Sequence, residues 1–185
     1  MAITISYSTI SKIVELVVTL TRECPLKKYS RNSLYAAIED LNYLSYESNI
    51  REGLNRALCH LESAYHNFEP SRNFILEWTE NIDRIYWDQR TYQNDMRIIM
   101  AVIHYALGNV DRARIWLNEL TTYGWIHVPN EALELLGLSN PSDLFKNIFN
   151  TNEDIYGQLQ LSARLTNSDV YGLNDPDPSG FDYLP

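Results

Sequence analysis

Four histidines, two cysteines and a cluster of carboxylates are the residues of this sequence whose types could do chemistry. His60 and His66 stand six apart, which puts them on different sides of one helix and rules out a two-histidine metal face at i, i+4 spacing. Glu62 and His66 do have that spacing, but two ligands make an incomplete site, and such pairs are common helix surface contacts. Cys59 and His60 are neighbours in sequence, yet adjacent helical side chains point about 100° apart and cannot act as nucleophile and base. Glu77, Glu80 and Asp83 gather carboxylates near one helix face, which would need a second helix to complete a metal site and otherwise reads as a solvated face.

Other motifs of chemistry are missing. The sequence contains no glycine-rich phosphate loop, no Gly-x-Ser-x-Gly elbow and no Cys-x-x-Cys pair. No catalytic residue, no cofactor and no metal site is therefore expected. Cys24 and Cys59 are too few for a disulfide framework and fall at or near apolar positions, so both read as reduced, small hydrophobic residues. Lys27, Lys28 and Arg31 around Tyr29 form the densest basic cluster, either an anion contact or lysines complementing a helix end. Trp78, Trp87, Trp116 and Trp125 could line an interface, though in a helical domain they more often fill core.

The elements that must position these residues centre on the stretch from Asp95 to Gly124. Met96, Ile99, Met100, Ile103 and Leu107 recur at spacings of three and four, the stripe of an amphipathic helix. Gly108 and Asn109 then supply a tight turn, and Ala113, Trp116, Leu117, Leu120 and Tyr123 continue the stripe until Gly124 ends it. So short a turn forces the two arms to be antiparallel. Gly108, Ala113 and Leu117 resemble the inner part of a tetratricopeptide repeat, whose small residues let two helices approach closely. Arg97, His104 and Trp125 stand where that family prefers aromatics and a proline. Ala57, Leu61, Ala64 and Pro70 show the same rhythm, but not one period of about 34 residues away. The resemblance implies a peptide-binding or scaffolding role; an ordinary antiparallel helix pair is the plainer alternative.

Before this hairpin, periodicity predicts a helix from Ser8 or Thr9 carrying Ile10, Ile13, Val14, Val17 and Leu20. A second starts near Ser30 or Asn32 with Leu34, Ala37, Ile38, Leu41 and Leu44, and a third at Ser48 or Asn49 with Ile50 to Phe68. Ser71 caps a fourth bearing Phe74, Ile75, Trp78, Ile82 and Ile85; the polar run from Trp87 to Asn94 then predicts a break. After the hairpin, Trp125, Ile126 and Val128 pin an irregular segment to the core. Three short helices follow, over EALELLGL, from the Ser139-Asn140-Pro141 start signal, and from Asn150-Thr151-Asn152-Glu153-Asp154 into Ile155, Leu159 and Leu161.

Composition sets the class. Hydrophobic residues at 45% and charged ones at 21% over 185 residues suit one folded domain with a real core. No run approaches the roughly 18 to 20 apolar residues of a membrane span, and the first residues lack the basic start of a signal peptide, so a cytoplasmic or host-cell interior location is expected. The net charge of −9 sits mostly in residues 129–185, with 9 acidic and 2 basic side chains. Such a chain has no electrostatic footprint for nucleic acid or an anionic membrane. The expected fold is all-α: seven to nine helices in stacked antiparallel hairpins over residues 1–165, then an irregular acidic C-terminal tail over 166–185. In that tail Tyr171, Phe181, Asp182, Tyr183 and Leu184 mix aromatics with acid after an Asp-Pro-Asp-Pro run, as suits a segment that docks on a partner or folds back. The expected function is a non-catalytic interaction module, an adaptor or inhibitor, whose partner is another protein or copies of itself. A structural subunit of a larger assembly such as a virus particle is the second reading, and an enzyme using His60, His66 and the 77–83 carboxylates the third.

Overall fold

The structure, a computed structural model, describes residues 11–15, 17–18, 28–43, 50–66 and 82–168. Among them every regular element is helical and there is no strand. Helical residues 11–15 and 17–18 bury Ile13 and Val17, then come α1 (Lys28–Tyr43) and α2 (Ile50–His66). Leu34, Ala37 and Leu41 on α1, and Leu54, Ala57, Leu58, Leu61 and Ala64 on α2, are the buried stripes that the spacing predicts. Among the described helices these two make the most extensive contact.

The central element is α3 (Ile82–Ala106), 25 residues and about 37 Å long. It corrects the expected break: α3 runs unbroken through Trp87 to Asn94. The polar residues there are not loop residues, because Thr91 and Asn94 are buried and bind the backbone of the irregular segment opposite. Farther along, all nine residues from Met96 to His104 are buried, so this part of α3 is covered on every side rather than along one stripe.

Gly108, at φ 84°, turns the chain into α4 (Val110–Asn118). The Gly108 N–H donates to Tyr105 O and the Asn109 N–H to His104 O, the paired bonds that satisfy the last carbonyls of α3. Ala113, Trp116 and Leu117 face the core as expected. However, α4 ends at Asn118 rather than near Gly124, and Tyr123 is 56% exposed instead of extending the stripe. Gly124 serves close approach instead of a helix cap. A Cβ there would stand 2.5 Å from the Thr91 backbone nitrogen and 2.7 Å from the Arg90 carbonyl carbon.

Trp125, Ile126 and Val128 are buried as expected, and lead into α5 (Asn130–Leu136), α6 (Pro141–Phe149) and α7 (Ile155–Thr166). Asn140 caps α6 by accepting from the Asp143 N–H at 3.1 Å, and Asp154 caps α7 by accepting from the Gly157 N–H at 3.1 Å. α5 packs on α3, α6 on α4 and α7 on α6. On α7 the buried residues are Tyr156 and Ala163, while Leu161 points out. One apolar cluster runs from Ile13 to Tyr156, so the stacked helical hairpins share a core. No described helix is long and apolar enough to cross a membrane.

Candidate functional site

The histidines do not converge. His60 leaves α2 toward α1, its Nε2 3.1 Å from Asp40 Oδ2, with Arg56 Nε 3.9 Å from the same carboxylate. His66, one and a half turns on, packs against Tyr65 and Trp116. Glu62 turns away from His66 toward the buried His104, whose Nε2 is 3.7 Å from Glu62 Oε1, too long for a hydrogen bond and an ion pair only when the imidazole is protonated. Burial holds the His104 imidazole below its ordinary value of 6.5; the Glu62 carboxylate opposes that shift and Arg112 adds to it. Among the described residues no group of three or more His, Cys, Asp or Glu side chains could hold a metal ion. Cys59 is free and exposed, not buried in the stripe, because its position falls between Leu58 and Leu61 on the outward side of α2.

What the fold does bring together is a polar seam between α2 and α3. The helices run antiparallel: Arg51 Nη1 donates to Leu107 O at 2.9 Å, Glu62 meets His104, and Tyr65 meets Arg97. Arg97 is 7% exposed. Its Nη1 donates to Asn94 Oδ1 at 3.1 Å, its Nη2 donates to the Tyr65 hydroxyl, and its Cζ lies 4.8 Å from the Tyr65 ring centroid. Trp116 of α4 stands edge-on to that ring at 5.1 Å. Asn94 continues the network: its Nδ2 donates to Thr121 O at 2.8 Å and Trp125 O at 3.2 Å, and its Oδ1 accepts from the Thr121 N–H. The adjacent Thr91 hydroxyl accepts from the Trp125 N–H at 2.9 Å. The irregular segment therefore satisfies its backbone on α3 side chains, as buried polar groups must.

From that segment the network reaches the end of α7. Asn167 Nδ2 donates to Thr122 O at 3.0 Å and to Ala163 O at 2.6 Å, and the Asn167 side chain is buried. Just before it, Leu161 and Leu165 are 60% and 59% exposed on successive turns of α7.

Sequence reasoning did not single out Arg97, Asn94 or Tyr65 as a group. The available signal was Arg97 and His104 seven apart on α3, two helical turns along the same face, at places where the tetratricopeptide pattern prefers aromatics. Tyr171, Phe181, Asp182, Tyr183 and Leu184 lie outside the described residues, as do Cys24, Lys27, the helix expected from Ser71 and the carboxylates Glu77 and Glu80. Comparison of the chain with protein-family models, with curated proteins and with solved structures finds no match.

Proposed function

We propose that this chain is a non-catalytic protein-interaction module, an adaptor or inhibitor that offers a helical surface and its acidic-aromatic C-terminal segment to another protein. The observation that carries the reading is the exposed Leu161–Leu165 pair. Neighbours at i, i+4 form one continuous apolar strip, unlike single scattered leucines, which need no explanation. The strip lies immediately before the segment holding Tyr171, Phe181, Asp182, Tyr183 and Leu184, and the loop bearing the exposed Tyr123 is bonded to the same end of α7. Two adjoining features of one function would sit this way. The likeness of the α3–α4 hairpin to a tetratricopeptide repeat supports the same reading.

Purified chain used as bait in its native source should retain a protein that, once identified and purified, binds directly. Leu161→Gln with Leu165→Gln, or Phe181→Ala with Tyr183→Ala, should weaken that binding at least about tenfold, since interface anchors are typically worth more than ~1.4 kcal/mol. Unchanged affinity in both double variants would remove the proposal. The same strip would serve a second copy of this chain in an assembly subunit. Light scattering after size exclusion reads that case: a multimer that dissociates in the leucine variant.

A further inference from the structure

Among the described helices α7 differs in the face it turns to solvent. Its inward side is fixed by the buried Tyr156 and Ala163, by Gln160, whose Nε2 donates to the Tyr156 hydroxyl at 2.8 Å, and by Asn167 at its end. Leu165 stands nine residues past Tyr156, about two and a half turns, and so points away from the core; Leu161 lies one turn before it on the same side. Around the two leucines the exposed residues are Gln158, Ser162 and Thr166, all neutral. The helix has no acid, and its one base, Arg164, is half-buried to the side. Every other described helix shows an acid: Glu39, Glu52, Asp111 and Glu131 are exposed on α1, α2, α4 and α5, and Asp95 and Asp143 are half-exposed on α3 and α6.

Charge selects the occupant. The chain has 24 acidic against 15 basic side chains, so two copies repel across faces that show acids. At the α7 face a second copy approaches without that penalty, whereas the face offers a strongly basic or acidic partner nothing to pair with. Symmetry makes the same face match itself. With two α7 helices antiparallel about a two-fold axis level with Ala163, Leu161 of each copy meets Leu165 of the other, neutral rim meets neutral rim, and the small Ser162 admits close approach. Antiparallel helices also set opposite dipole ends side by side. One helix face per copy falls below the roughly 1,200 Å² of a stable complex, so the contact is weak and reversible.

We propose that a second copy of this chain docks on the Leu161–Leu165 face of α7, forming a weak antiparallel α7–α7 pair. This deepens the interaction role by naming the occupant of its apolar strip, and rests on it. Sedimentation equilibrium of the full chain should show the apparent mass rising from one chain of 21.5 kDa toward two between about 10 μM and 1 mM. Added salt should tighten the pair, because it screens the repulsion between two chains of net charge −9. Leu161→Glu alone and Leu165→Lys alone should each stay monomeric over that range with unchanged far-UV circular dichroism, since both positions are exposed. Mixed in equal amounts the two variants should pair again, because the antiparallel register sets the new acid at 161 against the new base at 165 and leaves one leucine contact intact. The mixed pair should weaken with salt, the opposite of the parent. A parent chain that stays monomeric at about 1 mM overturns the pair and leaves the strip to another protein or to residues 169–185. Association that persists in both single variants overturns it as well, by placing the contact on another surface. Loss in both variants with no recovery on mixing overturns the antiparallel arrangement. Pairing of the purified chain with no protein captured from its native source would remove the adaptor role and leave the pair standing. Direct binding of a captured protein by a chain that stays monomeric would do the reverse.

Discussion

His104 is a neutral imidazole by placement. Because burial lowers its folded-state value below 6.5, the unfolded chain takes up a proton that the folded chain refuses as pH falls through about 6.5. Stability contributed by this residue is thus complete above that pH, declines below it, and stops declining once pH passes the folded value. Glu62 moderates the decline by favouring the charged form. The urea midpoint should fall between pH 7.5 and 5.5 by more in the parent chain than in His104→Gln, and by more still in Glu62→Gln. Equal falls in all three would show that His104 does not titrate in this way. Gly124 is the other residue whose role is local and stringent. Its Cα lies against the α3 backbone at Arg90 and Thr91, which cannot yield as a side chain could. Gly124→Ala is therefore expected near the upper end of overpacking effects, about 3 kcal/mol, lowering Tm by roughly 6–12 °C.

At the scale of elements, the helix starts depend on neighbours within one turn. Asn140 leaves its backbone extended, accepts from the Asp143 N–H, and is followed by Pro141, which has no N–H to orphan. Asn140→Ala should destabilise by about 1 kcal/mol, and Asn140→Asp by much less; calorimetric Tm values for the two compared with the parent test the ordering. Asp154 does the same for α7. Its carboxyl is held below the ordinary range by the Ser142 hydroxyl at 2.7 Å and then by the Gly157 N–H, so its capping is present above the usual carboxylate pKa and lost as pH falls through the lowered value. The irregular segment between α4 and α5 obeys a different rule. Its backbone is satisfied by Asn94 and Thr91, which reach it from α3 across the fold, and α6 is tied to α4 in a similar way by Arg114, whose Nε and Nη2 both donate to Ile148 O.

Across the whole molecule, one apolar cluster links the first described helical residues to Tyr156 on α7, with α3 covered all round at its centre. A shared core of this kind couples the hairpins. Thermal or urea unfolding should give one transition, with far-UV circular dichroism and tryptophan fluorescence coinciding within error, since Trp116 is buried on α4 and Trp125 is buried in the segment that α3 clamps. Two separated transitions would mean that the α1–α2 pair melts apart from the rest. How much of this was legible in advance follows from the range of the forces involved. The all-helical class, the apolar stripes of α1 and α2, the left-handed turn at Gly108 and the caps at Asn140 and Asp154 all rest on residues three or four apart, so chain order alone determines them. The continuity of α3 through its polar run, the inward placement of Arg97, and the outward placement of Tyr123 and Leu161 rest on what lies opposite. Those partners are 27 to 34 residues away in the case of Asn94, Thr91 and Arg97. Periodicity records which side of a helix is apolar, not whether a polar side chain will meet water or another helix's unpaired backbone, and only the packed chain supplied that second surface.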